Sequence, residues 1–585
     1  MSLEDLLKKQ EQERTTCTER ILNSTSRKKI IVSGPGTGKT YTFKLLFGRK
    51  KGNYLALTFI NDLAEKLKKD LEDIAKSCTL HSFCKGLLHS IEQEGLKNDF
   101  ILFPELEIII RSDAQIIHNK KPNFSRSFKQ LDCKGGNIPF YLKRSSYYNA
   151  VSFDDSVFRV LNYFKKKPDE IPQYDQIVVD EYQDFNKLEA EFIEVLEIKN
   201  PILIVGDDDQ ALYTQLKYAS PCYIREKFKD SRYEKFPLPF CSRCPKVIID
   251  ALHDVILQAK KLGKLRERID KGYVCYLPEK LSDSKKYFKI IHAHCSVQSE
   301  RTPYIAKFIE QEIDKLSLEE IKEINNKGDY TISIVGPKQY LKQINSYLKH
   351  TKKYILHFRK PEIERKKISI IDGYKILLNE DKLSNLGWRV LLECDPMRNI
   401  ENLLKKTLGD NTIQIYDYLP QNYIEKHEGN LGVLEKLQRN EELTEKEGNI
   451  LEKIFKVKLK DLKLQLSKEG DIKESEEGNV SADKIKIALS TYVGCKGLSA
   501  GYVFIVGLNE GNLPRRNNNP SDIEICQFIV ALARTIKKCY LISVTRFAGN
   551  LEGRYSVFID WIGKKRIEFK EVNVEYWKSL ESSNF

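Results

Sequence analysis

Residues 28–47 read KKIIVSGPGTGKTYTFKLLF, and the fold turns on how this stretch divides. The run KKIIV predicts a buried strand, TYTFKLLF a helix, and residues 33–38 the loop that joins them. Gly34, Gly36 and Gly38 let the backbone turn tightly and aim its N–H groups at an anion, at the positive end of the following helix. Ser33, Pro35 and Thr37 fill the other loop positions. Lys39 would place a compact charge on the β- and γ-phosphates of a nucleotide, and the Thr40 hydroxyl suits Mg2+. The full phosphate-loop pattern wants glycine at 33, where the small Ser33 still fits.

Two further buried strands end in polar residues. YDQIVVDEYQDFNKLEAEFIEVL (174–196) puts Asp180 at a strand's carboxyl end, placed to hold Mg2+, with Glu181 beside it to polarise an attacking water as general base. Asp184 reads instead as a solvated acid in the turn. NPILIVGDDDQALY (200–213) places Asp207 and Gln210 at the end of a third strand. A neutral amide at Gln210 can bond both a γ-phosphate and the attacking water. In open α/β sheets ligands sit at the carboxyl ends of parallel strands, so all three stretches should converge on one crevice.

At 585 residues the chain predicts two to four domains. Its 41% hydrophobic and 31% charged content describes a globular protein rather than a disordered one. A net charge of +14 fits a polyanion binder, and equally a lysine-rich proteome. The start, MSLEDLLKKQEQERTT, has no apolar core of a signal peptide, and no apolar run reaches the ~18 residues of a membrane span. Thirteen scattered cysteines suggest reduced thiols, so a cytoplasmic location without membrane contact is expected. Cys241 and Cys244 have CxxC spacing, but a zinc site wants a second such pair, so they read as structural.

GPGTGKT, DEYQD and GDDDQALY together resemble motifs I, II and III of superfamily 1A DNA helicases of the UvrD/Rep type. TFINDLA (58–64) resembles motif Ia, TLHSF (79–83) the next DNA-contacting motif, and LPFCSRCPKVI (238–248) motif IV. ALSTYVGCKGLSAGYVFIVGLNEGNLP (488–514) resembles motif V and QFIVALARTIKKCYLI (527–542) motif VI. The resemblance implies an α/β fold of two RecA-like P-loop NTPase domains, each interrupted by a mostly helical accessory insertion. The first core domain is expected at 1–88 with 150–240 and its insertion at 89–149. The second is expected at 241–353 with 481–585 and its insertion at 354–480, the charged stretch 467–484 forming a hinge. Strands in YFKIIHAH, YTISIVG, KIKIALS, YVFIVG and CYLISV support the second core domain independently.

The resemblance also assigns roles. ATP with Mg2+ would lie between the core domains, with Arg243 and Arg534 as arginine fingers stabilising transition-state charge. Lys496 and Gly497 match the KG of motif V, placing Gly497 at the nucleotide and Lys496 at DNA. Phe59, Asn61, His81 and Tyr213 are the other expected DNA contacts. Four positions depart from the family. Ser499 stands where a glutamate follows KGL. The adenine-contacting glutamine has only Gln10 and Gln12 as candidates. Gln215 and Leu216 replace the aromatic and arginine after motif III.

Residues 120–148 and 352–367 mix cations with rings, either to line a single-strand path or to form solvated lysines over core aromatics. The combined reading is an ATP-dependent helicase or translocase moving 3′ to 5′ on single-stranded or 3′-tailed DNA. The second reading is a DNA-sensing ATPase subunit of a repair or anti-phage defence complex that regulates a partner such as a nuclease.

Overall fold

The computed structural model describes residues 2–58, 61–71, 74–91, 96–97, 99–296, 304–359, 367–397, 399–467, 484–547 and 550–583. Two compact units emerge. Met1–Thr79, Ile171–Glu364 and Asn479–Phe585 form the first; Leu80–Glu170 and Arg365–Gly478 form the second.

In the first unit, helix α1 (Leu3–Asn23) leads to strand β1 (Lys28–Val32), and α2 (Lys39–Gly48) follows the glycine-rich loop. With β2 (Tyr54–Thr58), β3 (Lys76–Thr79), β4 (Gln176–Val179), β5 (Ile202–Gly206) and β6 (Glu234–Phe236), β1 builds a six-stranded sheet ordered β3-β2-β4-β5-β1-β6. Every neighbouring pair is parallel. A parallel sheet is covered on both faces and needs strands apolar along their length. Accordingly Ile30, Ile31, Leu55, Leu57, Ile177, Val179, Leu203 and Ile204 are all fully buried. The strand order brings the carboxyl ends of β4, β5 and β1 side by side.

The same unit holds a second parallel sheet. After α3 (Lys246–Lys261) come β7 (Ile290–Cys295), β8 (Tyr330–Val335), β9 (Ile355–Phe358), β10 (Lys486–Ser490), β11 (Ala500–Val506), α4 (Asp522–Leu532), β12 (Thr535–Val544) and β13 (Ile567–Val572). Their order is β9-β10-β8-β11-β12-β7-β13, again parallel throughout. Strand alternation sends Val503, Ile505 and Leu541 to one core with α3 and α4, and Tyr502, Phe504 and Ile542 to another on the opposite face. Strand β9 lies where the second insertion was expected to begin. The alternating apolar residues of YILHF pair with β10, and the lysines on either side do not prevent it. The expected hinge falls almost wholly outside the described residues.

The second unit is mostly helical, with one short parallel pair, Ile101–Leu102 and Ala150–Val151. At its centre Asp113, fully buried, accepts from Arg144 Nε at 2.9 Å, Arg389 Nε at 2.8 Å and Tyr148 Oη at 2.6 Å. Arg144 Nη1 continues to Thr407 Oγ1 at 2.9 Å. Burial pushes the Asp113 carboxyl up, but the two guanidiniums outweigh it and hold it below the ordinary carboxylate range. Of the two readings of 120–148, this favours solvated lysines over core aromatics rather than a single-strand path lined by stacking rings. Phe124, Phe128, Tyr141, Tyr147 and Tyr148 are core residues, and Arg144 is an internal cation. Lys120, Lys121 and Arg126 do remain exposed. No helix among the described residues is long and apolar enough to cross a membrane.

Candidate active site

The loop after β1 folds as its glycines require. Gly36 and Gly38 have φ of +73° and +85°, which side-chain-bearing residues rarely adopt. A Cβ on Gly38 would meet nothing within 4 Å, so the loop leaves open space at the helix end. No side chain caps α2, leaving its first N–H groups available to an anion. Thr37 Oγ1 steadies the loop through Ser33 Oγ at 3.1 Å and Gly34 O at 3.0 Å, and Lys39 Nζ lies 3.5 Å from Gly34 O. A cavity of about 30 Å³ flanks Gly38, lined by Arg14, Cys17 and Tyr41 among others. The donor set and the open cradle fit a nucleotide phosphate.

Asp180 ends β4, its N–H tied to Leu57 O at 2.8 Å. Burial, with Glu181 adjoining, pushes its carboxyl up to about 7. A divalent cation beside it would offset that burial, so Asp180 fits Mg2+. Glu181 stands in the left-handed region at φ 54°, a strained backbone of the kind that gathers at functional sites. Its carboxylate lies 3.1 Å from Lys496 Nζ. Burial raises this group, but Lys496 and Lys39 pull it down to about 2.

Lys496, which the sequence placed against DNA, is buried: its ammonium is held by Asp184, Glu181 and Gln210 O. Asp184 is likewise no solvated acid but the buried partner of Lys496. Both corrections have one cause. The pair is 312 residues apart in sequence, so nothing local announces it. Gly497 follows with φ +82°. Gln210 donates from Nε2 to Asp207 Oδ2 at 2.7 Å and accepts at Oε1 from Arg534 Nη2 at 3.2 Å. Arg534 is also fixed by Val530 O and Leu498 O; burial, with Arg243 close by, lowers it to about 10. Arg243 packs against the loop, where a Cβ on Gly36 would come within 2.5 Å of its own Cβ.

The expected DNA contacts are scattered. Tyr213 is buried, with Lys217 and Lys496 Nζ at 5.0 and 5.7 Å from its ring, rather than offered as a stacking surface. His81 is in the second unit, 3.9 Å from Asp154 and edge-on to Phe153. Phe59 and the side chains of Asn61, Gln215 and Leu216 lie outside the described residues. Gln10 is spent on backbone, donating to Cys275 O at 3.2 Å and accepting from Leu277 N at 2.9 Å. Cys241 and Cys244 are buried free thiols. Sequence reasoning missed Lys271 and Tyr273, which sit among these groups without any motif to mark them.

Residues 18–215 match the AAA domain family. The chain is 26% identical over 285 residues to DNA helicase II of Haemophilus influenzae, covering 40% of this chain and 39% of that protein. It is 24% identical over 648 aligned positions to a probable DNA helicase II homolog of Mycoplasma capricolum, covering 92% and 86%. With ATP-dependent DNA helicase PcrA of Staphylococcus aureus the identity is 25% over 230 residues, 32% of each chain. The chain is similar to UvrD/Rep-type helicases at 24–26% identity. The matched region spans well under two thirds of the Haemophilus and Staphylococcus relatives. The AAA-domain match spans the phosphate loop, Asp180 and Gln210.

Proposed function

We propose that the chain is an ATP-dependent DNA helicase or translocase that moves 3′ to 5′ on single-stranded DNA. One observation carries this reading: Lys496 and Arg534, in the turns that precede β11 and β12 of the second sheet, engage Glu181 and Gln210 at the strand ends of the first. A nucleotide in that crevice is sensed by both sheets, so its hydrolysis can change how they meet. Lys39 and the N–H groups of Gly34 and of Gly36 to Thr40 hold the phosphates, with Gly497 alongside; the Ser33 N–H is donated to Gly206 O at 3.0 Å, so Ser33 lines the loop instead. Thr40 and Asp180 would hold Mg2+, which when bound neutralises phosphate charge. Glu181 takes the proton of the attacking water, Gln210 orients that water, and Arg243 and Arg534 stabilise charge developing on the γ-phosphate. The motif assignments leave Phe59, Asn61 and His81 as the proposed DNA contacts.

The test is ATPase rate with no nucleic acid, single-stranded DNA, duplex and RNA. Single-stranded DNA should stimulate at least ~10-fold, fading as salt rises because phosphate contacts carry the effect. Equal stimulation by RNA would remove the DNA assignment. Translocation should strip streptavidin from a 5′-biotinylated strand faster than from a 3′-biotinylated one; the reverse would overturn the polarity. Strong stimulation with no stripping from either end would favour the DNA-sensing subunit.

A further inference from the structure

The loop after β5 buries three consecutive carboxylates, Asp207, Asp208 and Asp209. Such burial is untenable without nearby cations. One side chain compensates all three. The ammonium of Lys271, itself 1% exposed, bonds Asp209 Oδ2 at 2.6 Å and lies 2.9 and 2.7 Å from Asp207 Oδ1 and Asp208 Oδ1. Arg268 Nε pairs with Asp209 at 2.8 Å and Arg225 Nε with Asp208 at 3.0 Å, so three anions meet three cations.

This cluster reaches the crevice through Asp207, whose Oδ2 accepts from Gln210 Nε2. Because Arg534 donates to Gln210 Oε1, the amide has one orientation that satisfies both ends. The segment bearing Lys271 is also anchored on each side. Leu265 N donates to Asp522 Oδ1 at 3.1 Å, in the first turn of α4, the helix that leads to Arg534. Tyr273 Oη donates to Pro35 O at 2.6 Å in the phosphate loop, and its ring lies where a Cβ on Gly34 would go, 2.5 Å away. One short segment therefore touches the phosphate loop, the Asp207–Gln210 turn and α4.

We propose that Lys271 is a positioning residue that, by holding Asp207, sets the Gln210 amide for hydrolysis and couples it to the segment joining α4 to the phosphate loop. The inference rests on the ATPase reading above. Its test compares Lys271→Met, Gln210→Ala and the double variant at saturating single-stranded DNA. Lys271→Met should lower kcat about 10- to 100-fold, the scale of a misplaced catalytic group, with KM for ATP within about 3-fold. The double variant should be no slower than Gln210→Ala alone, because Lys271 acts through that amide. Lys271→Met leaves one buried negative charge unbalanced. Lys271→Met/Asp209→Asn restores neutrality and, with a wild-type melting midpoint, should lose the same kcat. A charge-balanced variant within about 2-fold of wild type, or losses at Lys271 and Gln210 that multiply, would overturn the proposal. Hydrolysis surviving in Lys39→Ala would instead remove the ATPase reading itself.

Discussion

At the scale of single residues, Lys39 and Glu181 should fail differently. Lys39 contributes a charge–phosphate contact present before reaction, so Lys39→Ala should weaken binding of a fluorescent ATP analogue as well as turnover. Glu181 contributes a proton acceptor needed only in the transition state. Glu181→Gln should bind the analogue normally and lose about 10²- to 10⁴-fold in single-turnover hydrolysis. Arg534→Ala should also bind without hydrolysing, with a loss of about 10³-fold or more if it acts as an arginine finger. Near-wild-type single-turnover rates in either of these two would remove the assigned role. The places of Lys39 and Thr40 at the start of α2, and of Asp180, Glu181 and Gln210 just after β4 and β5, were legible because each stands in a local strand–loop motif. Asp184, Lys496 and Lys271 were not. Their burial is set by partners on remote segments, and a charged residue whose counter-ion is remote looks like a solvated one.

At the scale of elements, β1, β4 and β5 of the first sheet and β7, β8, β10, β11 and β12 of the second were readable from apolar runs, which a doubly covered parallel sheet demands. By contrast, β3 (KSCT), β6 (EKF) and β13 (IEFKEV) carry no such run. Strand β9 was obscured by flanking lysines, and the helices of the second unit by internal charge. Helices Leu106–His118, Asn137–Tyr147 and Asn385–Cys394 converge on Asp113, Arg144 and Arg389, where a sequence reader expects apolar residues. Asp113→Asn keeps the shape but strands two buried guanidiniums, which should cost about 3–5 kcal/mol. Hydrogen exchange of amides in Leu106–His118 should speed accordingly; unchanged protection would mean that the network adds no net stability. The sign with pH follows from the depressed carboxyl. Its contribution is complete above the ordinary Asp value of about 3.9 and is lost as pH falls through the lower folded value. Exchange protection of wild type should therefore fall toward that of Asp113→Asn in strong acid and hold constant near neutrality.

At the scale of the whole molecule, a motor must hold DNA at least as firmly as the duplex resists opening. Stacking one base on an aromatic ring contributes about 1–3 kcal/mol. Opening an average base-pair step costs about 1.4 kcal/mol. The family's aromatic position after motif III is Gln215 here, and Tyr213, the nearest ring before it, is buried beneath two lysines. A grip without that ring loses roughly the energy of one base-pair step, so a fork can push the motor back as often as it advances. The isolated chain should therefore show strong DNA-stimulated ATPase but poor unwinding of long 3′-tailed duplexes. Gln215→Trp should improve unwinding more than it changes ATPase, because it restores a stacking ring at the family's aromatic position. The measurement is base pairs opened per binding event on duplexes of increasing length, with excess competitor to prevent rebinding. A wild-type monomer that opens hundreds of base pairs per event would show that another residue supplies the platform, with Tyr218, half-exposed at the end of the same turn, the first to replace by alanine.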